Sequence, residues 1–257
     1  MTAATVLKLL LVPLAVWLAS LAARKWGHSV SGYLGGFPMI GGPITLFLAM
    51  DLGPSFAAQS ALVTLAVVAG QAAHLVTFSF AGRAFGPVAG LLAGWAAFFA
   101  TAAAISQVPL GPALAIAFAA GGLLAASRVL PRATGAVSHP AIPPVELWLR
   151  LAAALALAAA IVLGAATLGP LVSGILLSMP ITGSIMPPFT LHLYGADALA
   201  RLLRGFVSGL TGFSAFFAVV AVGLEPLGIA PAFALATLAA LAMVTLVSRK
   251  SYVLRKP

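Results

Sequence analysis

The sequence has no cysteine and few charges, and both absences limit what the protein can be. None of its 257 residues is cysteine, 7% are charged and 62% are hydrophobic. Without cysteine the chain has no disulfide, no thiolate metal ligand and no cysteine nucleophile. Because soluble domains contain about 25% charged residues, these few charges cannot cover a water-soluble globule. The composition therefore excludes a soluble enzyme and a soluble nucleic-acid-binding domain.

Long apolar windows predict an all-α integral membrane protein with about nine transmembrane helices. The windows have helix length and lack the alternation of outer-membrane strands of roughly ten residues. The first window has no A-x-A-like cleavage site, so we interpret it as a span and not as a signal peptide. The predicted spans are Thr5–Ala23, Ser29–Met50, Phe56–Ala81, Phe85–Ser106, Val108–Ser127, Leu147–Thr167, Pro170–Leu193, Ala198–Leu224 and Leu227–Val247.

The basic residues predict how these spans are oriented. Twelve of the 13 Lys and Arg residues fall on one side of the predicted membrane, and Lys8 is the exception. Since basic loops stay in the cytoplasm, we expect the amino terminus outside and the carboxyl terminus in the cytoplasm of a bacterial inner membrane. The net charge of +9 then reflects orientation signals beside anionic lipid, and no nucleic-acid partner is expected.

The chain matches itself at a fixed shift of 142 residues, which predicts an internal duplication. The matched residues are largely Gly, Pro, Ser and Phe, so an excess of Ala and Leu does not explain them. The matches pair Val30–Gly32 with Val172–Gly174, Pro38 with Pro180, Gly41 with Gly183, Gly53 with Gly195 and Gly86 with Gly228.

The shift pairs spans one to four with spans six to nine and leaves span five as a linker. An odd number of crossings separates equivalent spans, so the two halves are expected to be inverted, as in many secondary transporters. This predicts a 4+1+4 plan with a first four-helix repeat at residues 1–107. A linker helix and connector follow at 108–143, and an inverted repeat with a basic tail at 144–257.

Proline and glycine interrupt the middle of spans two and seven. Because proline removes an amide donor and glycine lowers helix stability, we expect breaks at Gly36–Pro43 and Ser178–Ser184. Broken backbone at membrane depth lines a wet cavity or is buried in protein, and its free polar groups could bind a substrate. The alternative is close helix packing, since small residues are common at helix contacts.

Few polar side chains lie near these breaks. Gln71 and His74 share a face of span three, and a packing histidine is as good an interpretation as a functional one. Arg204 is deep enough to meet an anionic substrate, whereas Lys8 and Arg150 are interpreted as interface anchors. The predicted substrate-binding residues are Gly35, Gly36, Pro38, Gly41, Gly42, Thr45, Gln71, His74, Ser178, Pro180, Thr182, Gly183, Ser184 and Arg204.

Other kinds of site have little support. No Asp or Glu falls at mid-membrane, which argues against a carboxylate proton relay. Ser208, Thr211 and Ser214 either line a cavity or bond to the carbonyls of their own helix. No Walker, H-E-x-x-H, CxxC or Ser-His-Asp motif is found, so we expect no enzyme, no cofactor and no metal site.

Each half resembles the small four-span GlpM-type inner-membrane proteins. The similarity lies in a first span, a second span with glycine and proline, and the stretch Tyr194–Leu202 before the third. The duplicated plan is also similar, more loosely, to the drug/metabolite transporter superfamily, although that plan is five plus five spans. Neither resemblance carries over an activity or a functional residue.

These observations lead to two functional hypotheses. The first is a secondary transporter or facilitator for a small anionic or zwitterionic solute, which is held between the two broken helices. The second is a non-transporting membrane subunit that assists assembly or lipid handling in a larger complex. The expected partners are the lipid bilayer and, for the first hypothesis, a small solute, and a homodimer is left open.

Overall fold

The protein is helical throughout the part that the computed structural model describes, residues 3–133 and 143–253. Residues 134–142 of the predicted connector and 254–257 of the basic tail lie outside this part. The helices are α1 (Ala3–Gly35), α2 (Gly41–Asp51), α3 (Pro54–Phe85), α4 (Pro87–Ser106), α5 (Pro112–Val129), α6 (Pro144–Leu177), α7 (Ile181–Leu227) and α8 (Ile229–Val253). The predicted helical class is confirmed.

Five helical stretches are long and apolar enough to cross a membrane, and one of them is the joined stretch Pro144–Leu227 of 84 residues. Burial distinguishes a central helix from peripheral ones. In α3, 72% of the most apolar window is buried, against 28% in α4, 22% in α5 and 17% in α8. The peripheral helices thus present apolar faces outward, as expected of a multi-pass membrane protein.

The predicted boundaries between spans are wrong in two places. The interval around Arg24 and Lys25 has helical backbone, because α1 continues from Ala3 to Gly35. Likewise α7 contains the second half of predicted span seven and all of span eight, with a bend at Gly195. Hydropathy alone misplaced these boundaries because a helix that bends at a single residue needs no polar loop.

Five glycines share one backbone conformation that joins consecutive helical segments. Gly53, Gly86, Gly169, Gly195 and Gly228 have φ between 73° and 92°, with ψ near 180°. Only glycine adopts this region without strain. At three of the five a proline follows in the first helical turn, where its missing N–H and fixed φ suit a helix start.

The two halves pack on each other through equivalent positions. A Cβ atom on Gly32 would lie 2.2 Å from the carbonyl oxygen of Leu202. The same displacement of 142 residues relates this pair to Gly174 and Ser60, where the distance would be 2.6 Å. Backbones approach this closely only where the side chain is a hydrogen atom, so these glycines fix how α1 meets α7 and how α6 meets α3.

Candidate functional site

The two predicted breaks have the same local structure. Helix α1 ends at Gly35 and α2 begins at Gly41, while α6 ends at Leu177 and α7 begins at Ile181. In the first break the Met39 amide donates to the carbonyl of Phe37 at 2.7 Å. The counterpart is the Ile181 amide, which donates to Met179 at 2.8 Å.

A proline lies at the centre of each of these turns. Pro180 has φ −78° and ψ 56°, which is the inverse γ-turn conformation. Both breaks are shorter than predicted, since Gly41 to Pro43 form the first turn of α2 and Thr182 to Ser184 belong to the first turn of α7. A proline is tolerated there because the first turn has no intrahelical partner for its N–H.

Both breaks line one central cavity of about 60 Å³. At roughly 15 Å³ per water, this volume holds about four water molecules. Half of the predicted substrate-binding residues line it. They are Gly35, Gly36, Gly41, Gln71, Pro180, Thr182 and Gly183. The sequence prediction therefore located the cavity, because glycine and proline mark the breaks that form it.

Other predicted residues shape the breaks and do not line the cavity. The Thr45 hydroxyl donates to the carbonyl of Gly41 at 2.7 Å, and the Ser178 hydroxyl donates to Ile175 at 2.9 Å. Both hydroxyls are therefore used within their own helices. Pro38 and Gly42 are buried and also lie outside the lining.

His74 supports the second break from behind. It is fully buried, and its Nε2 atom lies 3.3 Å from the carbonyl oxygen of Gly183 and 3.5 Å from Oγ of Ser184. Because a carbonyl only accepts hydrogen bonds, Nε2 carries the hydrogen in the contact with Gly183. Its position makes His74 a positioning residue that holds the start of α7.

Gln71 presents an amide to the cavity. Its side chain is 8% exposed, and it lies one turn before His74 on the same face of α3. Among residues 3–133 and 143–253, none hydrogen-bonds to this amide or to the hydroxyl of Thr182 on the opposite break. These two groups can therefore bond to a solute without breaking an existing bond.

Arg150 contradicts its interpretation as an interface anchor. It is 4% exposed, lines the central cavity and pairs with Glu146 one turn earlier in α6. Its Nη1 atom also lies 3.5 Å from Oγ of Ser20 in α1. The i,i+4 spacing of Glu146 and Arg150 was the signal for an ion pair, and it was missed because both residues border the polar connector.

Arg204 lies away from the central cavity, contrary to its predicted role. Its guanidinium donates to the carbonyls of Pro131 at 2.9 Å, Leu130 at 2.7 Å and Ser127 at 3.3 Å. These carbonyls lie at and beyond the end of α5, so Arg204 satisfies acceptors that the helix itself leaves unpaired.

No metal site accompanies the cavity. In the described part of the chain no three His, Asp or Glu residues are placed to hold a metal ion. The polar groups around the cavity are instead amide, hydroxyl and guanidinium groups, with one paired carboxylate beside them. This set suits hydrogen bonding to a small polar solute.

Known proteins do not assign a function to this arrangement, and the resemblances predicted from the sequence stay predictions. Function must therefore be argued from the geometry of the site. Comparison of the chain with protein-family models, with curated proteins and with solved structures finds no match.

Proposed function

We propose that the protein is a secondary transporter or facilitator that moves a small anionic or zwitterionic solute by alternating access at the two breaks. One observation carries this proposal: both broken helices line a single cavity, together with the buried side chains of Gln71 and Arg150. Irregular backbone at membrane depth has this position in transporters, where it supplies polar groups without a full charge.

The proposal includes nine crossings arranged as two inverted four-helix units that α5 connects. Support comes from contacts in which the halves exchange roles. Gly41 packs against Phe217, where a Cβ would lie 3.0 Å from the ring, and the counterpart Gly183 packs against Leu75 at 3.4 Å. Reciprocal contacts of this kind are expected of a two-fold axis.

The solute class follows from what surrounds the cavity. Helices α2 and α7 both begin at it, so two partially positive helix ends face a bound solute. The ends of α1 and α6 contribute partially negative carbonyl groups, and Glu146 offsets the charge of Arg150. An anion or a zwitterion of a few heavy atoms is therefore preferred over a cation.

The decisive experiment is uptake and efflux of labelled anions and zwitterions in proteoliposomes. Gln71→Leu removes the amide at the cavity, and we expect transport to fall about 10-fold to 100-fold, as for loss of one hydrogen bond to a charged group. Gln59→Leu is the matched control, because Gln59 lies exposed on the same helix. Pro38→Ala and Pro180→Ala test the breaks directly.

A non-transporting membrane subunit is the competing function, and the modest cavity volume of about 60 Å³ favours it. It predicts tight co-purification with a partner and no flux of any solute above that of empty liposomes. If wild type and every variant match empty liposomes for all anions and zwitterions tried, the transport proposal is wrong.

A further inference from the structure

A second cavity, separate from the central one, runs along the outside of α7. Its volume is about 700 Å³, which is within the range of ligand pockets. It lies between α5 and α8 and extends along α7 from Arg201 to Ala218. At 1.5 Å per residue this is about 26 Å, longer than one leaflet of the hydrocarbon core at about 15 Å. We call it the α7 groove.

The α7 groove is the counterpart of a place that α5 fills in the other half. A Cβ on Gly122 of α5 would lie 2.7 Å from the Cα atom of Ala69 in α3. The shift of 142 residues relates Ala69 to Thr211, which lines the groove. In the described chain α5 is a single linker helix, so the equivalent place on α7 has no second helix seated in it.

The chemistry of the α7 groove differs from that of the α5 contact. Thr211 is larger than its counterpart Ala69 and hinders the close backbone approach that Gly122 makes. Arg204 stands where the shift places Leu62 on α3. Arg204 and Arg201 line the groove at the same end, while the rest is mainly apolar. An apolar chain with an anionic head complements this surface better than another helix does.

We propose that the α7 groove binds an anionic phospholipid of the surrounding bilayer. The acyl chain lies along Ala215 and Ala218, and the phosphate lies beside Arg201 and Arg204 at the end of the groove. The contacts of Arg204 with the end of α5 hold its charge at that place. Ser208, Thr211 and Ser214 bond to carbonyls of their own helix, so they do not oppose an acyl chain. This site is independent of the proposed transport.

Native mass spectrometry of the purified full-length protein with added phosphatidylglycerol or phosphatidylcholine tests the headgroup. We expect preferential retention of phosphatidylglycerol, and Arg201→Gln should weaken that preference about fivefold, as for one basic residue near anionic lipid. Arg83→Gln is the control, because Arg83 is an exposed basic residue at the end of α3. Equal retention of both lipids by the wild type would overturn the proposal.

Filling the α7 groove tests the acyl chain. Ala215→Trp should abolish retention of phosphatidylglycerol, whereas Ala100→Trp on the exposed face of α4 should leave it intact. Equal loss in both variants would contradict the groove as the site.

A labelling experiment serves if the tryptophan variant does not fold. The chain has no cysteine, so Thr211→Cys introduces one thiol that maleimide reports. Phosphatidylglycerol should slow its labelling more than phosphatidylcholine. If Thr211→Cys instead cross-links to another polypeptide and neither lipid protects it, a helix occupies the groove and the proposal is wrong.

Discussion

At the scale of single residues, two equivalent cations make ion pairs in opposite environments. Lys8 and Arg150 are related by the repeat shift. Lys8 pairs with Asp51, whose side chain is 43% exposed, whereas Arg150 pairs with Glu146, whose side chain is 7% exposed. A charge that loses its partner in a buried place has no water to replace it, and an exposed one does.

The two pairs should therefore differ in what their loss costs. We expect Glu146→Gln to lower stability by about 3–5 kcal/mol and Asp51→Asn to lower it by at most about 1 kcal/mol. Thermal unfolding in detergent measures both, and the double variant Glu146→Gln with Arg150→Gln should recover part of the loss. Equal effects of the two single variants would mean that Arg150 is solvated like Lys8.

His74 and Phe216 are also equivalent by the shift, and only the histidine bonds to a break. His74→Phe keeps a ring of similar size but leaves the carbonyl of Gly183 without this donor. We expect a loss of about 1–3 kcal/mol, measured as a lower Tm. His192→Phe, at an exposed histidine of α7, is the control and should change little.

At the scale of helices, the sequence was informative wherever glycine and proline act locally. The breaks could be predicted because proline removes a hydrogen bond wherever it lies in a helix. The bends at Gly169 and Gly195 were instead predicted as ordinary loops, since hydropathy does not report a change of φ at one residue. Arg150 was misplaced for a related reason: its burial depends on how α6 packs against α1, and a linear pattern does not contain that distance.

The bend at Gly195 gives a prediction for the helical elements. Gly195 has φ 76° and nothing within 4 Å of a would-be Cβ, so Gly195→Ala adds backbone strain of about 1–3 kcal/mol without a clash. Gly223 lies in the same helix with helical geometry and ordinary contacts of 3.4 Å or more. Gly223→Ala should therefore be neutral or slightly stabilising. Thermal unfolding compares them, and equal Tm values would show that the bend is not fixed by the glycine.

At the scale of the whole molecule, the central cavity is less symmetric than the helices that form it. Ser31 lines the cavity, whereas its counterpart Ser173 is fully buried and lies outside the lining. The cavity also reaches Ser20 and Arg150, which the predicted orientation puts toward the cytoplasm. Two equivalent halves in unequal conformations are what alternating access requires, because the opposite state arises when the halves exchange conformations.

Cysteine labelling from each side of the membrane tests this exchange, and the natural lack of cysteine keeps the signal specific. We expect a membrane-impermeant maleimide to label Ser31→Cys in inside-out vesicles. Ser173→Cys should react in right-side-out vesicles, more slowly, because the oppositely open state must form first. A rigid subunit with one fixed cavity would label at Ser31→Cys and never at Ser173→Cys. That outcome would leave the breaks as packing features and remove the main argument for transport.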